Sequence, residues 1–231
     1  MSDGPDVGVV IVAGGSSTRT AATELKQFRW VAGKPALLHS LQRFMARTDV
    51  VSVVCVLPVA YAADPPPWIF QCDVERLMVS TGGHTRTESV KHGLDDLPDE
   101  AAIVLVHDAA CPLVTDATID RVVASVRAGR ATIAAIPVVD TLKQVDEHGT
   151  VLRTVDRDGL WRAQTPQGFP REVIVRAHRE AVSRRLAPTD DAALCELLGI
   201  PVHVVAGSER AMKITTESDF ARAEAMFPLL E

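Results

Sequence analysis

Apolar residues along the chain fall into two patterns that alternate with each other. The first pattern is a short continuous run rich in valine and isoleucine, typical of a strand buried on both faces of a sheet, and it occurs at residues 7–12, 50–57, 77–79, 102–106, 131–138 and 201–205. The second pattern has helical spacing and occurs at residues 36–45, 90–94, 173–181, 189–199 and 216–227. Strands that alternate with helices predict one α/β domain with a mainly parallel sheet covered on both faces.

Three segments in the second half of the chain depart from this alternation. Residues 140–145 and 150–155 are two short runs separated by a turn that contains Gly149, which predicts a β-hairpin. A two-stranded hairpin is marginally stable alone in water, so we expect this one to pack on something, and a second subunit is a candidate. Residues 164–169 predict a rigid loop before a helix, and residues 212–215 predict a short strand that carries a lysine.

The first apolar run ends in a loop of small residues. After residue 12 the sequence reads Ala-Gly-Gly-Ser-Ser, and these small side chains leave backbone N–H groups open to an approaching ligand. Arg19 and Lys26 follow with two positive charges, so the segment favours an anionic ligand such as a polyphosphate. A tight strand-to-helix turn followed by solvated basic residues is the alternative interpretation, and this segment alone does not decide between them.

Two familiar nucleotide-binding motifs do not fit this loop. A P-loop requires Gly-Lys followed by Ser or Thr, whereas Gly33 and Lys34 are followed by Pro35. A dinucleotide fold requires G-x-G-x-x-G and an acidic residue about 20 residues later. The glycines here do not have that spacing, and the next strand ends in Leu57-Pro58 instead of an acid. We therefore set both motifs aside.

A second loop of small residues repeats the arrangement of the first. Residues 80–86 read Ser-Thr-Gly-Gly-His-Thr-Arg, after a predicted strand and before a predicted helix. Two such loops that converge on one ligand make a stronger case than either loop alone. We therefore expect Gly82, Gly83 and Arg86 to face the same ligand as the first loop.

The strand at residues 102–106 ends in His107-Asp108-Ala109-Ala110. Ligands of open α/β sheets sit outside the carboxyl ends of the strands, so Asp108 is expected to face the same crevice as the two glycine loops. A carboxylate beside a polyphosphate favours a divalent cation between them, and Mg²⁺ commonly uses one or two carboxylates together with phosphate oxygens. The alternative is that Asp108 caps the following helix, although Thr115 or Asp116 could do so equally well.

Composition and charge narrow the possible functions. The 231 residues carry a formal net charge of −6, which argues against nucleic acid or an anionic membrane as a partner and leaves a small anionic ligand compatible. The N-terminal sequence lacks a basic region followed by an apolar core, and no apolar run approaches a membrane span, so we expect a cytoplasmic protein. The four cysteines have no C-x-x-C spacing, so they indicate neither a zinc site nor a disulfide framework.

An ordered set of motifs along residues 8–221 resembles a known family. The motifs are A-G-G-x-S-x-R, K-Q-F, G-G-x-x-R-x-x-S-V, H-D-A-A, D-T-x-K, V-D-R-D-G-L-W-x-A-Q-T-P-Q-G-F, T-D-D-A and K-I-T. In this order they are similar to 2-C-methyl-D-erythritol 4-phosphate cytidylyltransferases of the non-mevalonate isoprenoid pathway. Ribitol 5-phosphate cytidylyltransferases share several of these motifs, whereas the V-D-R-D-G-L-W and T-D-D-A segments favour the methylerythritol family.

The resemblance implies a fold, a reaction and a set of partners. The fold is a three-layer, Rossmann-like nucleotidyltransferase domain over residues 1–231, with a protruding hairpin arm at about residues 139–160 that joins two subunits into a homodimer. The reaction is the Mg²⁺-dependent transfer of a cytidylyl group from CTP to 2-C-methyl-D-erythritol 4-phosphate, with release of pyrophosphate. A ribitol 5-phosphate cytidylyltransferase and a non-catalytic CTP-binding protein remain the alternatives.

The resemblance also implies a role for individual residues. Catalysis is assigned to Arg19, Lys26 and Lys213. CTP binding is assigned to Ala13, Gly14, Gly15, Gly82, Gly83, Arg86, Ser89 and Ala109. Binding of the acceptor is assigned to Asp108, Thr141 and Arg157, of which Asp108 is also the Mg²⁺-associated aspartate, and the two hairpin residues are contributed by the partner subunit.

The chain departs from the family pattern at several positions. Ser17 stands where the family usually has glycine, and Leu25 stands where it usually has proline, so the first loop is expected to close differently. Cys111 occupies the usual arginine of H-D-A-A-R-P, which in the family lies near the substrate phosphate. Without that cation, binding of the substrate phosphate depends more on Arg157 and Lys213. An altered substrate specificity is therefore an alternative.

Overall fold

The computed structural model describes residues 4–14, 25–186 and 188–229. Its strands are β1 (Val7–Val12), β2 (Trp30–Val31), β3 (Lys34–Pro35), β4 (Val50–Leu57), β5 (Leu77–Thr81), β6 (Ile103–Asp108), β7 (Ala131–Pro137), β8 (Leu142–Val145), β9 (Val151–Val155), β10 (Trp161–Pro170) and β11 (Val202–Ala206). Its α-helices are α1 (Ala36–Met45), α2 (Val59–Ala62), α3 (Arg86–Asp95), α4 (Asp116–Arg127), α5 (Arg171–Arg184), α6 (Asp191–Leu197) and α7 (Glu217–Met226). Short 3₁₀ helices lie at Pro67–Gln71 and Phe227–Leu229. Across the described ranges, no helix combines the length and the apolar character needed to cross a membrane.

Within the described ranges, seven strands form the central sheet, in the order β5-β4-β1-β6-β10-β7-β11. Neighbouring strands pair in parallel except β10, which runs antiparallel to both β6 and β7. Strands β8 and β9 form a separate antiparallel hairpin. The expected α/β fold, with a mainly parallel sheet and a hairpin, is therefore confirmed.

Helices cover both faces of this sheet, which gives three layers. On one face α1 and α4 contribute buried side chains such as Phe44 and Ile119. On the other face α3, α5 and α6 contribute Leu94, Ile174 and Leu194. Alternate residues of β1 belong to these two clusters, as the two-residue period of a strand requires. The central strands β1, β4 and β6 are therefore buried on both sides, which explains their continuous apolar runs, whereas the edge strands β5 and β11 are mostly half-buried or exposed.

The parallel strands place the predicted binding segments at one edge of the sheet. Strands β1, β4, β5 and β6 point in the same direction, so their carboxyl ends meet at that edge. Residues 13–14, 82–85 and 109–115 follow three of these strands directly. The two glycine loops and the end of β6 consequently surround one crevice, which is where ligands of open α/β sheets bind.

The predicted loop at residues 164–169 was wrong, because this segment lies inside β10. The strand pairs with β6 on one side and with β7 on the other. Its register with β7 shifts between Ala163 and Gln167, around Pro166. Proline cannot donate a hydrogen bond to a neighbouring strand, so it marks such irregularities, and it hid the strand from a pattern-based prediction.

The predicted strand at residues 212–215 was also wrong, because the segment pairs with no other strand in the described part of the chain. It is fixed in another way. The Ile214 side chain is buried in a small cluster with Leu113 and Phe220. The Ile214 N–H donates to the carbonyl of Ala110 at 2.8 Å. These contacts attach the segment, and Lys213 within it, to the end of β6.

Candidate active site

Two neighbouring cavities open at the carboxyl edge of the sheet. The first cavity, of about 300 Å³, is lined by residues from both glycine loops. The second cavity, of about 430 Å³, is lined by β10, the segment after β11, and α7. Arg86, Asp108 and Lys213 line both cavities. A ligand in either cavity therefore meets the same three charged side chains, which we call the shared cluster.

The first glycine loop is held against the sheet by its neighbours. The Ala13 N–H donates to the carbonyl of the strand beside it at 2.9 Å, and the buried side chain of Gln27 donates to the Ala13 carbonyl at 2.5 Å. Lys26, the residue before this glutamine, lines the first cavity. At Gly14 a Cβ atom would lie 3.3 Å from the Ser89 hydroxyl, so the first loop approaches the first turn of α3, which follows the second loop.

The second glycine loop is fixed by a capping box at the start of α3. The Thr85 hydroxyl accepts a bond from the Glu88 N–H, and the Glu88 carboxylate accepts one from the Thr85 N–H. The Gly83 N–H donates to the Ser89 hydroxyl at 3.1 Å. A Cβ atom at Gly83 would overlap the Glu88 side chain, so this position requires glycine.

The remaining residues that the resemblance assigns to CTP or to catalysis beside it fall into two groups. Gly82 donates its N–H to the last carbonyl of β4 at 2.7 Å, and Ala109 donates its N–H to the last carbonyl of β1 at 3.1 Å. Both residues are therefore anchored at the carboxyl edge, where Ala109 lines the first cavity and Gly82 is not among its described lining residues. Gly15 and Arg19 lie outside the described residues.

The shared cluster is built around Asp108. Its Oδ2 is 2.5 Å from the Lys213 ammonium nitrogen, and its Oδ1 is 3.5 Å from a guanidinium nitrogen of Arg86. The other terminal nitrogen of Arg86 is 2.7 Å from a carboxylate oxygen of Asp191, which is fully buried. Arg86 thus contacts one carboxylate at the cavity surface and another behind it.

All members of the shared cluster are charged at neutral pH. Burial alone would raise the pKa of Asp108, but the positive charges of Arg86 and Lys213 stabilise its ionised form more strongly, so its pKa is lowered. Burial likewise opposes the charge of Lys213, but the Asp108 carboxylate outweighs it, and the pKa of Lys213 is raised. One ionised carboxylate therefore lies between two cations, an arrangement that attracts a phosphate while it holds the cations in place.

Thr165 and His107 are site residues that the sequence analysis did not assign. Burial lowers the pKa of His107 to about 4, so the imidazole is neutral. Its Nε2 is 3.1 Å from the carbonyl of Cys111, which can only accept, so Nε2 carries the proton. Its Nδ1 therefore accepts from the Thr165 hydroxyl at 2.9 Å. This bond orients Thr165, which lines the second cavity.

Cys111 contributes no charge to the second cavity, which it also lines. Its side chain is 5% exposed, and burial raises the pKa of the thiol to about 12. The basic side chains in this cavity outside the shared cluster are Arg162, whose guanidinium contacts Glu209 at 2.8 Å, and Arg222, whose guanidinium lies 3.8 Å from Asp219.

Thr141 and Arg157 are not brought to either cavity within one chain. Neither belongs to the described residues that line the two cavities. The Arg157 guanidinium instead donates to the carbonyl of Val139 at the base of the hairpin. The hairpin also exposes apolar side chains, among them Val151 and Leu152, which are 56% and 59% exposed. The two predicted residues thus lie on an arm with an uncovered apolar surface.

The donor set fits Mg²⁺ only in combination with a phosphate ligand. Among the described residues, no group of three or more His, Cys, Asp or Glu side chains is arranged to hold a metal ion. Of the residues that the structure describes, only Asp108 offers an ionised carboxylate to both cavities, and it fits the pattern in which Mg²⁺ takes one carboxylate and several phosphate oxygens. Asp108 does not cap the following helix, because the Thr115 hydroxyl accepts the capping bond from the Thr118 N–H.

Comparisons with known proteins agree with one another. Residues 7–228 match the model of the family described as 2-C-methyl-D-erythritol 4-phosphate cytidylyltransferase. The protein of that name from Pelotomaculum thermopropionicum is 41% identical to this chain, and the match covers 95% of this chain and 93% of that protein. The one from Synechococcus elongatus is 40% identical, and the match covers 94% of each chain. A solved structure of that name from Thermus thermophilus superposes with a TM-score of 0.82 at 33% identity, over 96% of this chain and 98% of that one. One from Francisella tularensis superposes with a TM-score of 0.81 at 28% identity, over 96% and 100%.

Proposed function

The chain belongs to the 2-C-methyl-D-erythritol 4-phosphate cytidylyltransferase family, and we propose that its chemistry takes place at the shared cluster of Arg86, Asp108 and Lys213. The enzyme transfers a cytidylyl group from CTP to 2-C-methyl-D-erythritol 4-phosphate. The observation that carries the proposal is that this cluster lines both cavities. Two anionic substrates held in neighbouring cavities would meet there.

The first cavity is assigned to CTP. Two loops of small residues border it, so backbone N–H groups and the Ser89 hydroxyl can approach the base, ribose and phosphates closely. The CTP-binding set remains Ala13, Gly14, Gly15, Gly82, Gly83, Arg86, Ser89 and Ala109. Lys26, which lines the cavity, is assigned to the phosphates, and Arg19 keeps the same assignment as a prediction.

The second cavity is assigned to methylerythritol phosphate. Lys213, Arg162 and Arg222 supply positive charge in its lining, and Thr165 lines it as well, with its hydroxyl proton donated to His107. A phosphate monoester needs such cations around its oxygens. Because Cys111 is an uncharged thiol, the phosphate must be held by these other side chains.

The proposed reaction is an in-line displacement at the α-phosphorus of CTP. An oxygen of the acceptor phosphate forms the new bond to phosphorus, the bond to the oxygen that bridges the α- and β-phosphorus breaks, and pyrophosphate leaves. The nucleophile is already an anion, so the residues must bring anions together and stabilise charge on the phosphoryl oxygens. Lys26 and Lys213 do this with full positive charges. When bound, Mg²⁺ adds further positive charge to the triphosphate, and Asp108 would hold it.

We also propose that the enzyme is a homodimer whose hairpin arm completes the partner's second cavity. Support comes from the exposed apolar side chains of the arm and from the position of Thr141 and Arg157 away from the cavities of their own chain. An isolated hairpin with such a surface is marginally stable, whereas a second subunit would cover it.

A mixing experiment tests this arrangement. Arg157→Ala and Lys213→Ala proteins are each expected to be nearly inactive, but mixed and re-equilibrated subunits should recover about a quarter of wild-type activity. The reason is that half of the dimers are then mixed, and each mixed dimer has one intact composite site. If Arg157 served its own chain, every site in a mixed dimer would carry a defect, and the absence of recovery would contradict the proposal.

A cytoplasmic location is proposed on the basis of the substrates and the cysteines. CTP and methylerythritol phosphate are intracellular metabolites. All four cysteines, each of which the structure describes, are free thiols, the state that a reducing compartment maintains.

The experiment that tests the activity is pyrophosphate release by the purified protein with CTP and Mg²⁺. Parallel reactions contain methylerythritol 4-phosphate or ribitol 5-phosphate as the acceptor. Release with the methylerythritol substrate alone is expected. Pyrophosphate release only with ribitol 5-phosphate would assign that substrate to the second cavity. No release with either acceptor, despite CTP binding, would contradict the catalytic role of the shared cluster.

A further inference from the structure

A buried row of charged and polar side chains lies behind the shared cluster and touches neither cavity. Arg86 contacts Asp191 at 2.7 Å, and the other carboxylate oxygen of Asp191 is 3.0 Å from Nε2 of His178. Asp191 and His178 are each 1% exposed. Neither is among the described residues that line the first or the second cavity. A contact with substrate therefore does not account for them.

Asp191 is fixed in place from several directions. It is the first residue of α6. The side-chain oxygen of Gln167 accepts hydrogen bonds from the backbone N–H groups of Asp191 and Ala192, each at 3.1 Å. Burial opposes its ionised form, but Arg86 and His178 outweigh it, and the pKa of Asp191 is lowered. A buried carboxylate is tolerated only when it is paired in this way, so Asp191 is a rigid anion directed at Arg86.

His178 reaches toward the other side of the protein. Its Nδ1 has no hydrogen-bond partner in the described structure. The residue borders a small cavity of about 80 Å³ between α3 and α5, which is large enough for water. A water there would satisfy Nδ1 and leave Nε2 to donate to Asp191.

The two contacts of Arg86 are unequal. Its bond to Asp191 is short at 2.7 Å, whereas its distance to Asp108 is 3.5 Å. Without Asp191, the guanidinium would gain most by turning to Asp108 and forming a closer, two-bond pair with that carboxylate. Arg86 would then bind both carboxylate oxygens of Asp108. Lys213 would lose its contact with Asp108, and an ion at this carboxylate would lose its ligand.

We propose that Asp191 and His178 are positioning residues for the reaction. Asp191 holds Arg86 back from Asp108, so that the aspartate keeps an oxygen for Lys213, and His178 holds Asp191. This inference rests on the proposed function for its effect on turnover, and on geometry alone for its effect on Arg86. Because a small displacement of a catalytic group can cost about 100-fold in rate, Asp191→Asn is expected to lower kcat about 10- to 100-fold and to change both KM values less than threefold.

A double-mutant cycle tests whether Asp191 acts through Arg86. In an Arg86→Gln background, Asp191→Asn is expected to cause no further loss of kcat, since there is no guanidinium left to position. Asp116→Asn is the matched control, because Asp116 is likewise the first residue of a helix and pairs with an arginine, Arg43, at 2.9 Å. Equal losses from Asp191→Asn in both backgrounds, or an unchanged kcat in the folded single variant, would overturn the inference.

A second measurement does not depend on activity. Nuclear magnetic resonance of arginine side chains should show restricted rotation of the Arg86 guanidinium in the wild type, where Asp191 holds it, and again in Asp191→Asn, where Asp108 pairs with it. Rotation should become free only in the Asp108→Asn/Asp191→Asn double variant. If Asp191→Asn is not folded at the assay temperature, His178→Leu replaces it in the kinetic cycle, with a smaller loss of about 3- to 10-fold expected in kcat. A guanidinium that rotates freely in Asp191→Asn, or that stays restricted in the double variant, would overturn the positioning role, even if pyrophosphate release by the wild type failed for other reasons.

Discussion

Lys213→Ala is expected to lower turnover about 10²- to 10³-fold in a protein that folds normally, because it removes a charge directed at the transferring phosphoryl group. Lys213 lies between the two cavities, 2.5 Å from Asp108. Its side chain is 55% exposed, so its ion pair contributes little to folding. The measurement is kcat with both substrates saturating, together with the thermal midpoint.

Lys91→Ala is the matched control for this variant. Lys91 also contacts an aspartate, Asp95, at 2.5 Å, but this pair lies on the exposed surface of α3. The control should keep wild-type turnover. Near-normal kcat in Lys213→Ala would remove this lysine from the catalytic assignment.

Asp108→Asn is the second substitution with a large expected effect, again a loss of about 10²- to 10³-fold in kcat. Asparagine has nearly the same shape, but it is neutral and cannot hold two cations. Lys213 would lose its partner, while Arg86 would keep Asp191 and the protein would remain folded. The concentration of Mg²⁺ needed for half-maximal rate should also rise, because the carboxylate that fits the ion is gone.

The Mg²⁺ titration separates Asp108 from an ordinary surface acid. Asp95→Asn also breaks a lysine–aspartate pair, and it should change neither kcat nor the Mg²⁺ requirement. If Asp108→Asn kept the wild-type Mg²⁺ dependence and lost only turnover, the carboxylate would act on Lys213 alone, and the metal assignment would be contradicted.

Much of the framework could be predicted from local sequence patterns. Strands β1, β4 and β6 are continuous apolar runs because they are buried on both faces. The rule that ligands lie at the carboxyl ends of parallel strands then placed both glycine loops and Asp108 at one crevice. The antiparallel strand β10 could not be predicted in this way, because its pairing partners are distant in sequence and its proline resembles a loop signal.

The residues behind the site were missed for a related reason. His107, His178 and Asp191 act through contacts with residues 13 to 105 positions away in the sequence, so no local spacing identifies them. The T-D-D-A motif served only to indicate the family and the start of a helix, although its second aspartate carries the contact to Arg86. The signal that could have found it is the unusual occurrence of two consecutive acids where one is enough for capping.

The most direct test of the central claim is a crystal structure with both substrates bound. The ligands would be methylerythritol 4-phosphate, Mg²⁺ and a CTP analogue with a methylene group between the α- and β-phosphorus. We expect the cytosine and ribose in the first cavity, the acceptor phosphate in the second, and the α-phosphate beside Lys213 and Asp108. An acceptor phosphate bound outside the second cavity, or an α-phosphate away from the shared cluster, would contradict the account.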